Sequence, residues 1–136
     1  MLKLNRNEDM TKTERAKIKD MYSGRCAYCA GELKGNSWHV DHVKPIYRGW
    51  RVKPESAGED TVGNMMPACK RCNLRKSTLS VEQFRSEIEK QTERLKKFSS
   101  QYRLALDYGT VEETFKPVVF YFEIRNASLA SVEPAG

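Results

Sequence analysis

The 136-residue sequence predicts a small α+β domain, and three observations point to it. Two C-x2-C pairs, Cys26-Ala-Tyr-Cys29 and Cys69-Lys-Arg-Cys72, bracket the middle of the chain. Between them lies a β-like run, WHVDHVKP at 38–45, and outside them apolar residues recur at helical spacing. The length suits one modest core and is too short for two ordinary ones, so residues 1–125 read as a single domain with a core at 25–77.

In chain order, Thr11 and Glu14 have the spacing of a capping box, and Ala16, Ile18, Met21 and Tyr22 carry an apolar face until Ser23-Gly24 ends it, predicting a helix over 12–22. Residues 25–33 hold a cysteine pair among small residues, as a metal-binding knuckle does, with a short hairpin expected after it. The stretch RGWRVKPESAGEDTVG at 48–63 has three glycines, a proline and no periodicity, which predicts a long surface loop. PACKRCNLRKS predicts a short helix. Ser80-Val-Glu-Gln83 starts another, whose Phe84, Ile88, Leu95 and Phe98 form a stripe expected to pack as core. Beyond Gly109, PVVFYFEI at 117–124 is β-branched and aromatic and reads as a strand, and 126–136 reads as a disordered tail.

Composition narrows the function classes. No run of about 18 apolar residues occurs, which excludes a transmembrane helix, and MLKLNRNEDM lacks the apolar segment of a signal peptide, so a cytoplasmic protein is expected. The net charge of +6 is unevenly placed: residues 1–76 carry 16 Lys+Arg against 9 Asp+Glu, while residues 77–136 carry 8 against 9. The first half therefore has the field of a polyanion-binding surface, with a solvated basic face as the plainer alternative.

Four thiolates arranged as two C-x2-C pairs, 39 residues apart, can close a tetrahedral shell around Zn²⁺, each pair gripping one edge. Disulfides are the rival arrangement, but a reduced cytoplasmic chain favours metal. Such a site supplies on the order of 10 kcal/mol of apparent folding free energy, a large term for a small domain. It also leaves no open coordination position, so catalysis must be sought elsewhere.

Between and just after the cysteine pairs stand Asp41, His42, Asn64 and Asn73, each an unremarkable residue in isolation. Together, C-x2-C, then VDHVKP, then GNMMPACKRCNLRKS resemble the HNH endonucleases, particularly the small zinc-stapled members often encoded by phages. The resemblance covers 25–77 and implies a ββα-metal (His-Me finger) core flanked by N- and C-terminal helices, acting on DNA. It implies His42 as the general base and Asp41 as an acidic metal ligand. Asn64 corresponds to the asparagine that braces the loop holding the histidine. Asn73 corresponds to a second metal ligand, which makes this an H-N-N variant.

The chemistry of these side chains agrees with those roles. A free imidazole, with a pKa near about 6.5, is mostly neutral at pH 7 and can take a proton from water. A carboxylate and an amide oxygen are hard donors that favour Mg²⁺ or Mn²⁺ over Zn²⁺. Cys69, Cys72, Asn73 and Lys76 share about 100° of one helical face, so zinc would fix Asn73 as well. Arg48, Arg51 and Lys53 in the long loop, with Arg71, Arg75 and Lys76 on the short helix, are candidate phosphate contacts. His39, two before Asp41 on the same strand face, is read as an edge residue. The competing function is a non-catalytic zinc ribbon that binds nucleic acid or protein.

Overall fold

A computed structural model describes residues 10–44, Gly58 and 61–131. The element order is α1 (Lys12–Met21), β1 (Trp38–His42), a 3-10 turn (Val62–Asn64), β2 (Met65–Cys69), α2 (Lys70–Lys76), α3 (Val81–Glu89), α4 (Gln91–Phe98), α5 (Ser100–Asp107) and α6 (Tyr121–Ser131). The molecule is thus a mixed fold, helices with one small antiparallel sheet, as the sequence predicts. No helix among the described residues is long and apolar enough to cross a membrane. By their contacts the described residues divide into two compact units, those up to Val81 with those from Val119 onward, and Glu82–Val118.

In the first unit, α1 begins where the capping box predicts: the Thr11 hydroxyl accepts the Glu14 N–H at 3.1 Å, satisfying a donor that the first helical turn leaves unpaired. Its Ile18 is buried. β1 and β2 pair antiparallel in a register that sets Trp38 against Cys69, Val40 against Pro67, Asp41 against Met66 and His42 against Met65. The sheet joins residues far apart in sequence, so the hairpin expected directly after the knuckle is absent from the described residues; an isolated bridge between Arg25 and Glu32 closes the knuckle itself. Strand alternation holds for Trp38, His39 and Val40 and then stops, because Asp41 and His42 are both buried. The end of β1 is covered on both faces.

α2 follows β2 without a loop, the Cys69 sulfur capping it by accepting the Cys72 N–H at 3.4 Å. The expected strand over 117–124 is replaced by an irregular approach and the start of α6. The reason lies in backbone pairing. The Tyr121 and Phe122 N–H groups donate to the carbonyls of Tyr28 and Ala27 at 3.1 and 2.8 Å, so the first turn of α6 satisfies its free donors on the cysteine knuckle instead of on a neighbouring strand. The β-branched and aromatic side chains favoured a strand locally. Burial of Phe120 against Tyr28, with ring centroids 5.2 Å apart and edge-on, outweighs that preference. Because α6 continues to Ser131, the tail expected from Asn126 is helical that far, and 132–136 lie outside the described residues.

The second unit holds most of α3 together with α4 and α5. Phe84 is buried, but Leu95 is 45% and Phe98 77% exposed, so the stripe expected to pack as core does so only in part. The helix predicted as one is interrupted at Lys90, and Glu82–Val118 is too short a stretch to enclose a full core. Ion pairs and hydrogen bonds on its surface, Arg94 to Glu87 at 2.7 Å and Lys96 and Tyr102 to Glu113 at 2.8 and 2.9 Å, tie its segments together.

Candidate functional site

The four cysteines converge. Their sulfur atoms all lie within 4.8 Å of one another, and those of Cys29 and Cys69 are 3.8 Å apart. A Zn–S bond of about 2.3 Å in tetrahedral geometry gives an S···S edge of about 3.8 Å, so the spacing fits zinc. The surroundings fit as well: the Gly31 N–H donates to Cys29 Sγ at 3.4 Å, an orienting contact of the kind that metal thiolates carry. The knuckle is docked on β2 by the Ala27 N–H, which donates to the Pro67 carbonyl at 2.8 Å. The thiols are electrostatically coupled. A hydrogen bond with Cys72 draws the Cys26 thiol down to about 5, while the same bond, burial and the charge on Cys26 push Cys72 up. Sulfurs this crowded cannot all ionise without a cation among them, a service that a zinc ion would provide.

Asp41 lies one strand step before His42, and it is held from two directions. From the knuckle, the Tyr28 hydroxyl donates to Asp41 Oδ2 at 2.5 Å. From α2, Lys76 Nζ stands 3.2 Å from Oδ2 and 3.5 Å from Oδ1. The ammonium also donates to the His42 carbonyl at 3.1 Å, so Lys76 ties α2 to both residues of the pair. Burial pushes the Asp41 carboxyl above its ordinary value, and the Tyr28 hydrogen bond and the Lys76 charge oppose that shift. Burial, and then the neighbouring carboxylate, push the Tyr28 hydroxyl upward, which keeps it protonated as a donor.

Lys76 is 0% exposed. That burial corrects its assignment as a phosphate contact, because a lysine enclosed and paired with Asp41 presents no ammonium to a DNA backbone. A helical lysine is ordinarily solvated, and only the carboxylate 35 residues earlier makes its burial tolerable. Arg71 and Arg75 are exposed on the same helix, and Asn73 is half-buried between them in sequence. His39 is exposed at the sheet edge. Arg48, Arg51 and Lys53 lie outside the described residues.

Asn64 forms a two-point clamp. Its Oδ1 accepts the Lys44 N–H and its Nδ2 donates to the Lys44 carbonyl, each at 2.9 Å, while its own carbonyl accepts the Val43 N–H at 2.9 Å. The backbone just after His42 is thereby fixed to the turn before β2. Gly58 closes over this clamp: a Cβ there would collide with the Lys44 carbonyl oxygen and come within 2.6 Å of Asn64 Nδ2. Gly58→Ala is therefore expected to break the clamp, destabilising the domain by about 1–3 kcal/mol, the net worth of its two side-chain hydrogen bonds. Urea unfolding of the zinc-loaded protein measures it, and an unchanged midpoint would contradict the packing.

For a catalytic divalent ion, the donor set can be judged on Asp41. It is the buried carboxylate of the site, and a cation, the Lys76 ammonium, already stands against it. Asp41 thus already holds a positive charge on a hard oxygen donor, as a ligand to a divalent ion would, while Asn73, the other expected donor, stands half-buried on α2.

Sequence reasoning misses Tyr28 and Gly58 here and misassigns Lys76. Tyr28 was passed over as a spacer between ligands, although an aromatic residue at that position of a knuckle has to pack somewhere. Lys76 was read by residue type, and Gly58 as loop composition.

Among known proteins, no curated protein matches the chain. The structure of the Type II-C Cas9 enzyme from Actinomyces naeslundii is similar at 22% identity and a TM-score of 0.45, over 54% of this chain and 7% of that one. Residues 26–79, less than half of the chain, match the family described as HNH endonuclease. That match spans the segment carrying the cysteine cluster, the Asp41-His42 pair, the Asn64 clamp and α2.

Proposed function

We propose that the first unit is a metal-dependent DNA endonuclease that hydrolyses phosphodiester bonds. The observation that carries this reading is the joint fixation of Asp41 and His42 at the end of β1, by Lys76 and Tyr28 on one side and by the Asn64 clamp on the other. A merely structural zinc ribbon has no need to hold a carboxylate and an imidazole in consecutive, buried positions.

In the proposed mechanism an unprotonated ring nitrogen of His42 accepts a proton from the water that attacks phosphorus. Asn64 acts as a positioning residue, keeping the chain after His42 from shifting as the proton arrives. Asp41 and Asn73 would hold the divalent ion, Mg²⁺ or Mn²⁺ by the hardness of their oxygens, and when bound it supplies polarisation of the phosphate and stabilisation of the leaving oxygen. Arg71 and Arg75, exposed on α2, supply charge to the phosphate backbone, as would Arg48, Arg51 and Lys53. Structural zinc, held by Cys26, Cys29, Cys69 and Cys72, keeps the knuckle and α2 together.

Incubating supercoiled plasmid with zinc-loaded protein and a panel of Mg²⁺, Mn²⁺, Ca²⁺ and Zn²⁺ tests the reading. Nicked or linear product is expected with Mg²⁺ or Mn²⁺, at a rate that falls steeply with added salt because the phosphate contacts release counter-ions. DNA binding without cleavage under every ion would overturn it in favour of a non-catalytic zinc module.

A further inference from the structure

Lys76 is the last residue of α2, wholly enclosed, with its ammonium on both oxygens of Asp41 and on the His42 carbonyl. A buried carboxylate is stable only beside a compensating charge, and here that charge is internal. A divalent ion on the same carboxylate would set two positive charges beside the ammonium in a region of low dielectric, so the two cations compete for one anion. We propose that Lys76 is the resident counter-cation of Asp41, and that a divalent ion binds there only by exchange with the Lys76 ammonium. This rests on the reading of Asp41 as a metal ligand.

The fold provides a way for the exchange to occur. Lysine is a point charge on a flexible four-carbon stem, and this one leaves the helix at its final turn, where Ser77 adopts φ 47° and ends the α-helical path. Rotation of the stem can carry the ammonium off Asp41 without disturbing Cys72, one turn earlier. The Tyr28 hydroxyl, donated from the knuckle, stays on Oδ2 in either state and keeps the carboxylate oriented. Lys76 would then set the threshold concentration of divalent ion at which the site fills. In the metal-free protein it would keep Asp41 and the His42 backbone in place.

Two measurements on the zinc-loaded 136-residue chain without DNA test the exchange. In a Mn²⁺ titration followed by the electron paramagnetic resonance of free Mn²⁺, Lys76→Met is expected to bind at least tenfold more tightly than the unmodified protein. Adding Asp41→Asn to that variant should abolish the gain. In the second, lysines of the unmodified protein are acetylated and mapped by mass spectrometry. Lys76 should be protected without Mn²⁺ and labelled at saturating Mn²⁺, while the exposed Lys70 is labelled equally in both. Should Lys76→Met fail to retain zinc, the labelling of the unmodified protein decides.

Equal or weaker Mn²⁺ binding by a folded Lys76→Met protein overturns the proposal, as does Lys76 protection that persists at saturation. Either result alongside intact Mn²⁺-dependent cleavage would leave the nuclease reading standing. Absence of Mn²⁺ binding in both proteins would remove Asp41 as a ligand and the exchange with it.

Discussion

Replacing His42 by glutamine is expected to lower the rate of plasmid cleavage by about 10²–10⁴-fold, the usual contribution of a positioned general base. Glutamine occupies a similar volume but cannot take up a proton at this pH. Because His42 is only 6% exposed, His42→Ala would add a packing loss to the chemical one, and the glutamine variant separates the two. Zinc content should stay near its unmodified value, since the cysteine cluster does not include His42. Cleavage at the unmodified rate by a folded, zinc-loaded His42→Gln protein would exclude His42 as the base.

The second large effect concerns zinc. Structural zinc sites contribute about 10–16 kcal/mol of apparent binding free energy, against total domain stabilities of about 5–15 kcal/mol, so losing one ligand or the metal should unfold the first unit. Cys72→Ser is expected to abolish both stoichiometric zinc and the near-ultraviolet circular dichroism of Trp38, which is 3% exposed in the native packing. Excess chelator should do the same to the unmodified protein, and re-adding zinc should restore the signal. Retention of that signal in a zinc-free protein would show that the apolar core alone suffices. The loss should extend to cleavage for a specific reason: Tyr28, between two of the cysteines, donates to Asp41, and α2, which carries Cys72 and is capped by Cys69, bears Lys76 and Asn73.

The parts of the fold that depend on short-range spacing were readable in the chain. Thr11 and Glu14 mark the start of α1 because a side-chain cap reaches only three residues ahead. The cysteine pairs mark a cluster that could hold zinc, because two thiolates with two residues between them can grip one edge of a tetrahedron whatever surrounds them. The clamp residue Asn64 was legible through the order of motifs from Asp41 to Asn73, although its partner, the Lys44 backbone, was not. Where sequence reading went astray, local preference met a stronger distant partner. PVVFYFEI favours a strand by residue type, yet the donors at its centre found the carbonyls of Ala27 and Tyr28 nearly a hundred residues earlier and turned the chain into a helix.

By itself, then, the sequence determined an α+β chain with two cysteine pairs spaced to hold one metal ion and an Asp-His pair placed between them, because these follow from ligand chemistry and spacing along the backbone. Only the tertiary structure decided that Lys76 belongs to Asp41 rather than to solvent, that Tyr28 links the zinc knuckle to the same carboxylate, and that Gly58 leaves room for the Asn64 clamp. The physical reason is common to all three. The worth of a charge, a hydroxyl or a missing side chain depends on what lies within about 3–4 Å of it, and that is set by folding rather than by neighbours in the chain.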